Sequence, residues 1–121
     1  MLSISGSSRI FLYMHPTDMR KSFRGLSALV YRHLGRPEDG AYYVFVNRRR
    51  THVKILHWDG DGLAIWYKRL EKGCFVMPEA EGDRVELDRR RLAMLLEGIV
   101  PLRTKVRFSL EKSASEPGNT V

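Results

Sequence analysis

Residues 41–47 read Ala-Tyr-Tyr-Val-Phe-Val-Asn, an unbroken run of aromatic and β-branched side chains. A run without polar alternation is typical of a strand that is covered on both faces, so we expect it at the centre of a sheet. Three arginines, Arg48 to Arg50, interrupt the pattern. It resumes over residues 52–58, where Val53 and Ile55 share one face and the residues between them the other. The two runs predict a β-hairpin with a basic tip.

Further strands follow from turn residues and short apolar runs. Asp-Gly-Asp-Gly at residues 59–62 can supply a second tight turn, which leads into a strand at 63–70. Cys-Phe-Val-Met at 74–77 predicts a fourth adjacent antiparallel strand. Shorter strands are predicted at 9–14, where the sequence reads Arg-Ile-Phe-Leu-Tyr-Met, and at 84–87, which would form an edge.

Two amphipathic helices are predicted, at about 18–34 and about 89–98. In the first, apolar residues recur at helical spacing, and Thr17 or Asp18 can accept a hydrogen bond from the free amides of its first turn. In the second, leucines lie three and four residues apart, and Asp88 can cap the start. The predicted fold class is α+β, an antiparallel meander of about four to six strands with both helices packed on it.

Length and composition indicate one soluble domain. The 121 residues are enough for one core, which we expect within residues 1–109, and we expect 110–121 to be a disordered tail because they contain almost nothing to bury. One cysteine, Cys74, cannot form an internal disulfide, and no apolar run approaches the roughly 20 residues of a membrane span. The expected location is the cytoplasm.

Charge is the first guide to a partner. Lysine and arginine number 21 against 14 acidic residues, a net charge of +7, which makes a polyanion plausible. Exposed arginines pair with phosphate oxygens, although a solvated turn and an ordinary polar helix face explain the same patterns. A third basic run, Arg89 to Arg91, opposes the dipole of the second predicted helix. The candidate nucleic-acid contacts are Arg48, Arg49, Arg50 and Lys54 at the tip, with Arg20, Lys21 and Arg24 on the first helix as support. The basic residues of the tip and those of the helix could line a single groove.

Other chemistry has weaker support in the sequence. Aromatic side chains in the meander could stack bases, but core packing explains most of them. Asp59 and Asp61 could bind magnesium, although turn chemistry is the simpler interpretation. Because the four histidines are scattered, we expect no catalytic residue, no metal and no cofactor. The aromatic residues concerned are Tyr42, Tyr43, Trp58, Trp66 and Tyr67.

Five ordered blocks between residue 9 and about residue 100 resemble one family. The blocks are Thr-Asp-Met-Arg-Lys-Ser-Phe-Arg-Gly-Leu at 17–26, Phe-Val-Asn-Arg-Arg-Arg at 45–50, Lys-Ile-Leu-His-Trp-Asp-Gly-Asp-Gly-Leu at 54–63, Tyr-Lys-Arg-Leu-Glu-Lys-Gly at 67–73 and Leu-Ala-Met-Leu-Leu-Glu-Gly-Ile at 92–99. The chain resembles the TnpB-type accessory protein, also called the second-open-reading-frame-like protein, of insertion-sequence family sixty-six.

The resemblance implies a non-catalytic role in moving a bacterial mobile element. It also implies two protein partners, a separate transposase of the acidic-triad type and a second small accessory protein. The first hypothesis is binding of transposon DNA through the basic surface. The alternatives are an adaptor that docks on the transposase without reading DNA, and a metal-dependent nuclease that uses Asp59 and Asp61. The candidate contact residues come from charge placement, not from the family.

Overall fold

A computed structural model describes residues 2–4 and 6–98. The predicted boundary at 109 and the predicted tail at 110–121 lie outside these residues. The strands are β1 Ile10–Tyr13, β2 Tyr42–Val46, β3 His52–Trp58, β4 Leu63–Arg69 and β5 Arg84–Leu87; the helices are α1 Phe23–Leu29 and α2 Arg89–Glu97. A π-helical turn, Val30–Leu34, continues α1, and a 3-10 turn follows at Pro37–Asp39.

The five strands form one sheet in the order β4-β3-β2-β1-β5. Strand β2 is central and all five of its residues are buried, which confirms the prediction from its unbroken apolar run. Strand β5 lies at an edge beside β1, as the sequence predicted. The α+β class is confirmed, with one difference from a pure meander: β1 and β2 are parallel, joined by the crossover through α1.

Each face of the sheet carries one helix. Strand residues alternate between the faces, so the same strands supply two separate apolar layers. On the α1 face, Leu26, Val30 and Leu34 pack with side chains of β1, β2 and β3. On the α2 face, Leu92 and Leu95 pack with the alternate side chains of the same strands. The strand residues of the α1 face are Phe11, Tyr13, Tyr43, Phe45 and Leu56; those of the α2 face include Ile10, Leu12, Val44, Val53 and Ile55.

The prediction that the first helix begins near residue 18 is wrong, because α1 begins at Phe23. Asp18 forms a turn instead: its Oδ1 accepts a hydrogen bond from the Arg20 N–H at 2.9 Å, and its carbonyl accepts one from Lys21 N–H at 3.1 Å. The N-cap of α1 is Ser22, without a side-chain cap bond. Local side-chain to backbone bonding thus competes with the helix over residues 17–22, which we call the 17–22 loop.

The predicted fourth strand at residues 74–77 is also not a strand of the sheet. Cys74 makes a single bridge, and Met77 follows in irregular backbone. Phe75 is fully buried against the α2 face, and its N–H donates to the Arg50 carbonyl at 2.7 Å. The segment therefore covers the core instead of extending the meander. Its apolar composition reflects burial, which a strand and a covering segment share.

The predicted boundaries of the second helix agree with the structure. Asp88 Oδ1 accepts a hydrogen bond from Arg91 N–H at 2.7 Å, as expected for an N-cap. The helix ends at Glu97, and Gly98 follows with φ 74°. None of the helices among the described residues is long and apolar enough to cross a membrane.

Candidate nucleic-acid interface

The parallel pairing of β1 and β2 brings two distant segments to one end of the sheet. The carboxyl ends of parallel strands lie at the same edge, so the chain after Tyr13 and the chain after Val46 emerge together. Thr17 N–H donates to the Val46 carbonyl at 2.9 Å and joins them directly. The 17–22 loop therefore lies beside the turn between β2 and β3.

That turn is held from inside by Asn47. Its carbonyl accepts a hydrogen bond from Arg50 N–H at 3.0 Å, and its side-chain Oδ1 accepts from Thr51 N–H at 2.8 Å and from His52 N–H at 2.9 Å. Arg50 has φ 62°, in the left-handed region that few arginines adopt. The three exposed arginines, Arg48 to Arg50, which we call the arginine tip, thus project from an ordered turn.

The arginine tip is exposed and forms no ion pair with a carboxylate, a property that it shares among the described residues with Arg24, Arg32, Arg36 and Arg89 to Arg91. Within residues 2–4 and 6–98, no carboxylate forms an ion pair with these three guanidinium groups. By contrast, Arg9 pairs with Glu86 at 2.8 Å and Arg69 with Glu71 at 3.0 Å. Within the described part of the chain, no ion pair therefore neutralises the charge of the tip.

Lys54 does not project with the tip, contrary to its predicted place on the phosphate-facing surface. It is 8% exposed, and its Nζ donates to the Met19 carbonyl at 2.8 Å and to the Lys21 carbonyl at 2.7 Å. The ammonium also lies 4.7 Å from the ring centre of Tyr67. Two of its three protons are thus used within the protein, and Lys54 holds the 17–22 loop on the sheet.

The supporting basic residues do not form a helical stripe. Arg20 and Lys21 belong to the 17–22 loop, and Arg24 lies in the first turn of α1. Arg20 Nη2 pairs with Asp18 Oδ2 at 2.6 Å, and this hydrogen-bonded contact lowers the pKa of Asp18 to about 2. Lys21 and Arg24 are exposed.

Two grooves flank the arginine tip. The first, which we call the tip groove, has a volume of about 510 Å³ between the tip and the start of the 17–22 loop. The second measures about 420 Å³. Arg48 lines both, Arg49 the first and Arg50 the second, so the tip forms a ridge between them. The tip groove is lined by Pro16, Thr17, Asp18, Met19, Asn47, Arg48, Arg49, His52 and Tyr67. The arginine tip and the 17–22 loop thus share a groove, but the predicted supporting residues Arg20, Lys21 and Arg24 do not line it.

The predicted aspartate pair lies far from this surface. Asp59 and Asp61 are exposed in the β3–β4 turn, where Asp59 N–H donates to the Gly62 carbonyl at 3.0 Å. Strand β3 separates that turn from the arginine tip by about 20 Å, at about 3.3 Å per residue. The part of the chain that the structure describes contains no group of three or more His, Cys, Asp or Glu side chains arranged to hold a metal.

One cluster of titratable side chains was not predicted from the sequence. Asp83 bridges two histidines: its Oδ1 lies 2.7 Å from His15 Nε2 and its Oδ2 lies 3.1 Å from His33 Nδ1. These hydrogen bonds lower the pKa of Asp83. Both imidazole rings also pack on Tyr13. The cluster ties β1, the π-helical turn and the start of β5 together, and no local pattern links residues so far apart in sequence.

The fold and its surface define a small basic α+β domain with three exposed arginines at one end of its sheet. A family profile described as IS66 Orf2 like protein matches residues 8–106, and the chain belongs to this family. It is therefore an accessory protein of insertion-sequence transposition.

Two relatives come from Sinorhizobium fredii. The uncharacterized protein y4hO is 36% identical over 100 residues, which cover 82% of this chain and 87% of the relative. The uncharacterized protein y4jC is 30% identical over 106 residues, which cover 87% and 91%. No solved structure is detectably similar to the chain.

Proposed function

We propose that this accessory protein binds the DNA of its mobile element, without catalysis of its own, through the arginine tip. The observation that carries the proposal is the tip itself: three exposed arginines on a turn ordered by Asn47, without a carboxylate partner among the described residues. Guanidinium groups bind phosphate oxygens in bidentate fashion, and the turn that carries them lies at one end of the sheet.

Other basic residues support the proposed binding of DNA. Lys21 and Arg24 are exposed and add to the positive charge of the domain without lining the grooves. Lys54 acts indirectly, through the loop that it holds. The proposed partners are transposon DNA, the transposase and the second small accessory protein of the element.

The test is fluorescence anisotropy with a labelled duplex of the element's end and with a scrambled duplex, each over a salt series. The variant carries Arg48→Gln, Arg49→Gln and Arg50→Asn, since asparagine tolerates the left-handed backbone at residue 50. We expect the slope of log affinity against log salt to fall by about two to three in this variant.

The matched control carries Arg89→Gln, Arg90→Gln and Arg91→Gln. It removes the same number of charges from the start of α2, which follows β5 at the opposite end of the sheet. We expect it to keep the wild-type slope. An unchanged slope in the tip variant, or an equal loss in both variants, would contradict a specific role of the tip.

The second candidate function is a protein adaptor that docks on the transposase. Two exposed apolar side chains favour it, Val76 at 49% and Met94 at 61% exposure, beside a hollow of about 220 Å³ on the α2 face. Purified transposase should then be retained by the wild-type protein and lost with Val76→Ser and Met94→Gln, while the arginine-tip variant still binds it. Failure of the wild type to retain transposase would exclude this candidate.

A further inference from the structure

We propose that the tip groove holds an unpaired nucleotide of the bound DNA, with its base stacked on Tyr67 and its phosphate on Arg48 and Arg49. This inference rests on the DNA binding proposed above and adds a strand preference to it. A protein that only gripped phosphates would bind duplex and single strand through the same charges, whereas this groove selects DNA in which a base is free.

Tyr67 is the meander aromatic that is open to a ligand. Its side chain is 52% exposed, whereas Tyr42 and Tyr43 are buried and Trp58 and Trp66 are half-buried. An exposed ring in the last half of a strand is available for stacking, because it serves no core. Of the five aromatic residues that the sequence offered for base stacking, Tyr67 is thus the one that is exposed.

The Tyr67 ring is held in place before any ligand arrives. The Lys54 ammonium lies 4.7 Å from the ring centre, and the His52 ring centre lies 6.0 Å away at a tilt of 39°. Lys54 is itself tied to two carbonyls of the 17–22 loop. A ring that is already ordered loses little conformational freedom when a base stacks on it.

The size and charge of the groove suit a nucleotide. Its volume of about 510 Å³ lies within the range of about 300 to 1,000 Å³ that is usual for small-molecule sites. Arg48 and Arg49 form a cationic wall for the phosphate. Asp18 also lines the groove, but its carboxylate oxygens already accept hydrogen bonds from the backbone N–H and the guanidinium group of Arg20.

The nucleotide must be unpaired for this contact. Within a duplex both faces of a base are covered by its neighbours, so a base reaches a protein ring only after it leaves the stack. Stacking on a protein aromatic accepts any base, since every base has a π-face. The groove therefore predicts a preference for single-stranded or opened DNA without strong sequence preference.

The test compares one labelled sequence as single strand and as duplex, in fluorescence anisotropy with Tyr67→Leu and, as the matched control, Tyr67→Phe. We expect the leucine variant to bind single strand about tenfold more weakly and duplex within about twofold of wild type, and the phenylalanine variant to bind like wild type. Photo-cross-linking of wild-type protein to an iodouracil-substituted single strand should label the peptide that contains Tyr67, which requires no folded variant.

Each outcome bears on a different part of the inference. Wild-type affinity for single strand in the leucine variant, or a cross-link elsewhere, would overturn the stacking role while the arginine-tip result still decides the proposed function. Complete displacement of the strand by excess free deoxyadenosine monophosphate would make the groove a mononucleotide site and overturn the strand preference. If neither the single strand nor the duplex binds at any salt concentration, both proposals are overturned.

Discussion

Lys54 and Tyr67 are direct partners across the β3–β4 pair, and the Lys54 ammonium lies 4.7 Å from the centre of the Tyr67 ring. The same ammonium donates to the Met19 and Lys21 carbonyls. One buried cation thereby connects the exposed ring of the tip groove to the 17–22 loop that forms the opposite wall. Its removal should loosen both walls together.

The first prediction concerns Lys54→Met, which keeps an unbranched side chain one atom shorter than that of lysine but removes its donors. Two carbonyls lose a partner, so we expect the free energy of unfolding to fall by about 2 kcal/mol and amide exchange to accelerate in the 17–22 loop. Urea unfolding and hydrogen exchange measure these effects. Lys68→Met is the control: Lys68 Nζ donates to the Leu96 carbonyl at 2.8 Å, so its loss should affect α2 and leave the loop protected. Unchanged exchange in the loop would contradict the role of Lys54.

The second prediction concerns the left-handed backbone of Arg50, with φ 62°. Asparagine tolerates this conformation better than arginine, so Arg50→Asn should raise the free energy of unfolding by about 0.5 to 1 kcal/mol. Arg49→Asn is the matched control, because Arg49 does not have a positive φ and should show no gain. Equal urea midpoints for the Arg50 variant and wild type would show that the turn stores no such strain.

The third prediction concerns the Asp18–Arg20 ion pair and its pH dependence. Hydrogen bonds from Arg20 lower the pKa of Asp18 from 3.8 to about 2, so the pair stabilises the folded state fully above pH 3.8. As the pH falls from there to about 2, the unfolded chain binds a proton first and the stabilisation disappears. The stability difference between wild type and Asp18→Asn should be constant from neutral pH to about pH 4 and should vanish near pH 2. A difference that grows on acidification would have the wrong sign.

The fourth prediction concerns Gly98, where α2 ends with φ 74°. A Cβ at this position would lie 2.7 Å from Leu70 Cδ1, so Gly98→Ala combines a backbone conformation that favours glycine, φ 74° and ψ 171°, with a contact that the Leu70 side chain must shift to relieve. We expect a loss of about 2 to 3 kcal/mol in urea unfolding. Gly60→Ala is the control: its φ of 106° is also positive, but nothing lies within 4 Å of the added Cβ. Similar losses for both variants would remove the clash as a cause.

The sequence by itself determined the elements whose signals are local. The unbroken apolar run identified β2 as the central strand, alternation identified β3, and Asp88 and Gly98 marked the ends of α2. The arginine tip was equally visible, because the turn and its charges are contiguous in the chain. Such features depend on neighbours within a few residues, which a periodic pattern records directly.

Only the tertiary structure decided what lies beside the tip. The parallel pairing of β1 with β2 brings the 17–22 loop to the tip, and the loop then covers Lys54, which charge placement alone had put among the candidate contacts. The loop also contains the Asp18 turn, after which α1 begins at Phe23, and Tyr67 lies exposed at the groove that the loop lines. Pairing direction and the burial of a cation depend on contacts between residues that are tens of positions apart, and no local pattern carries that information.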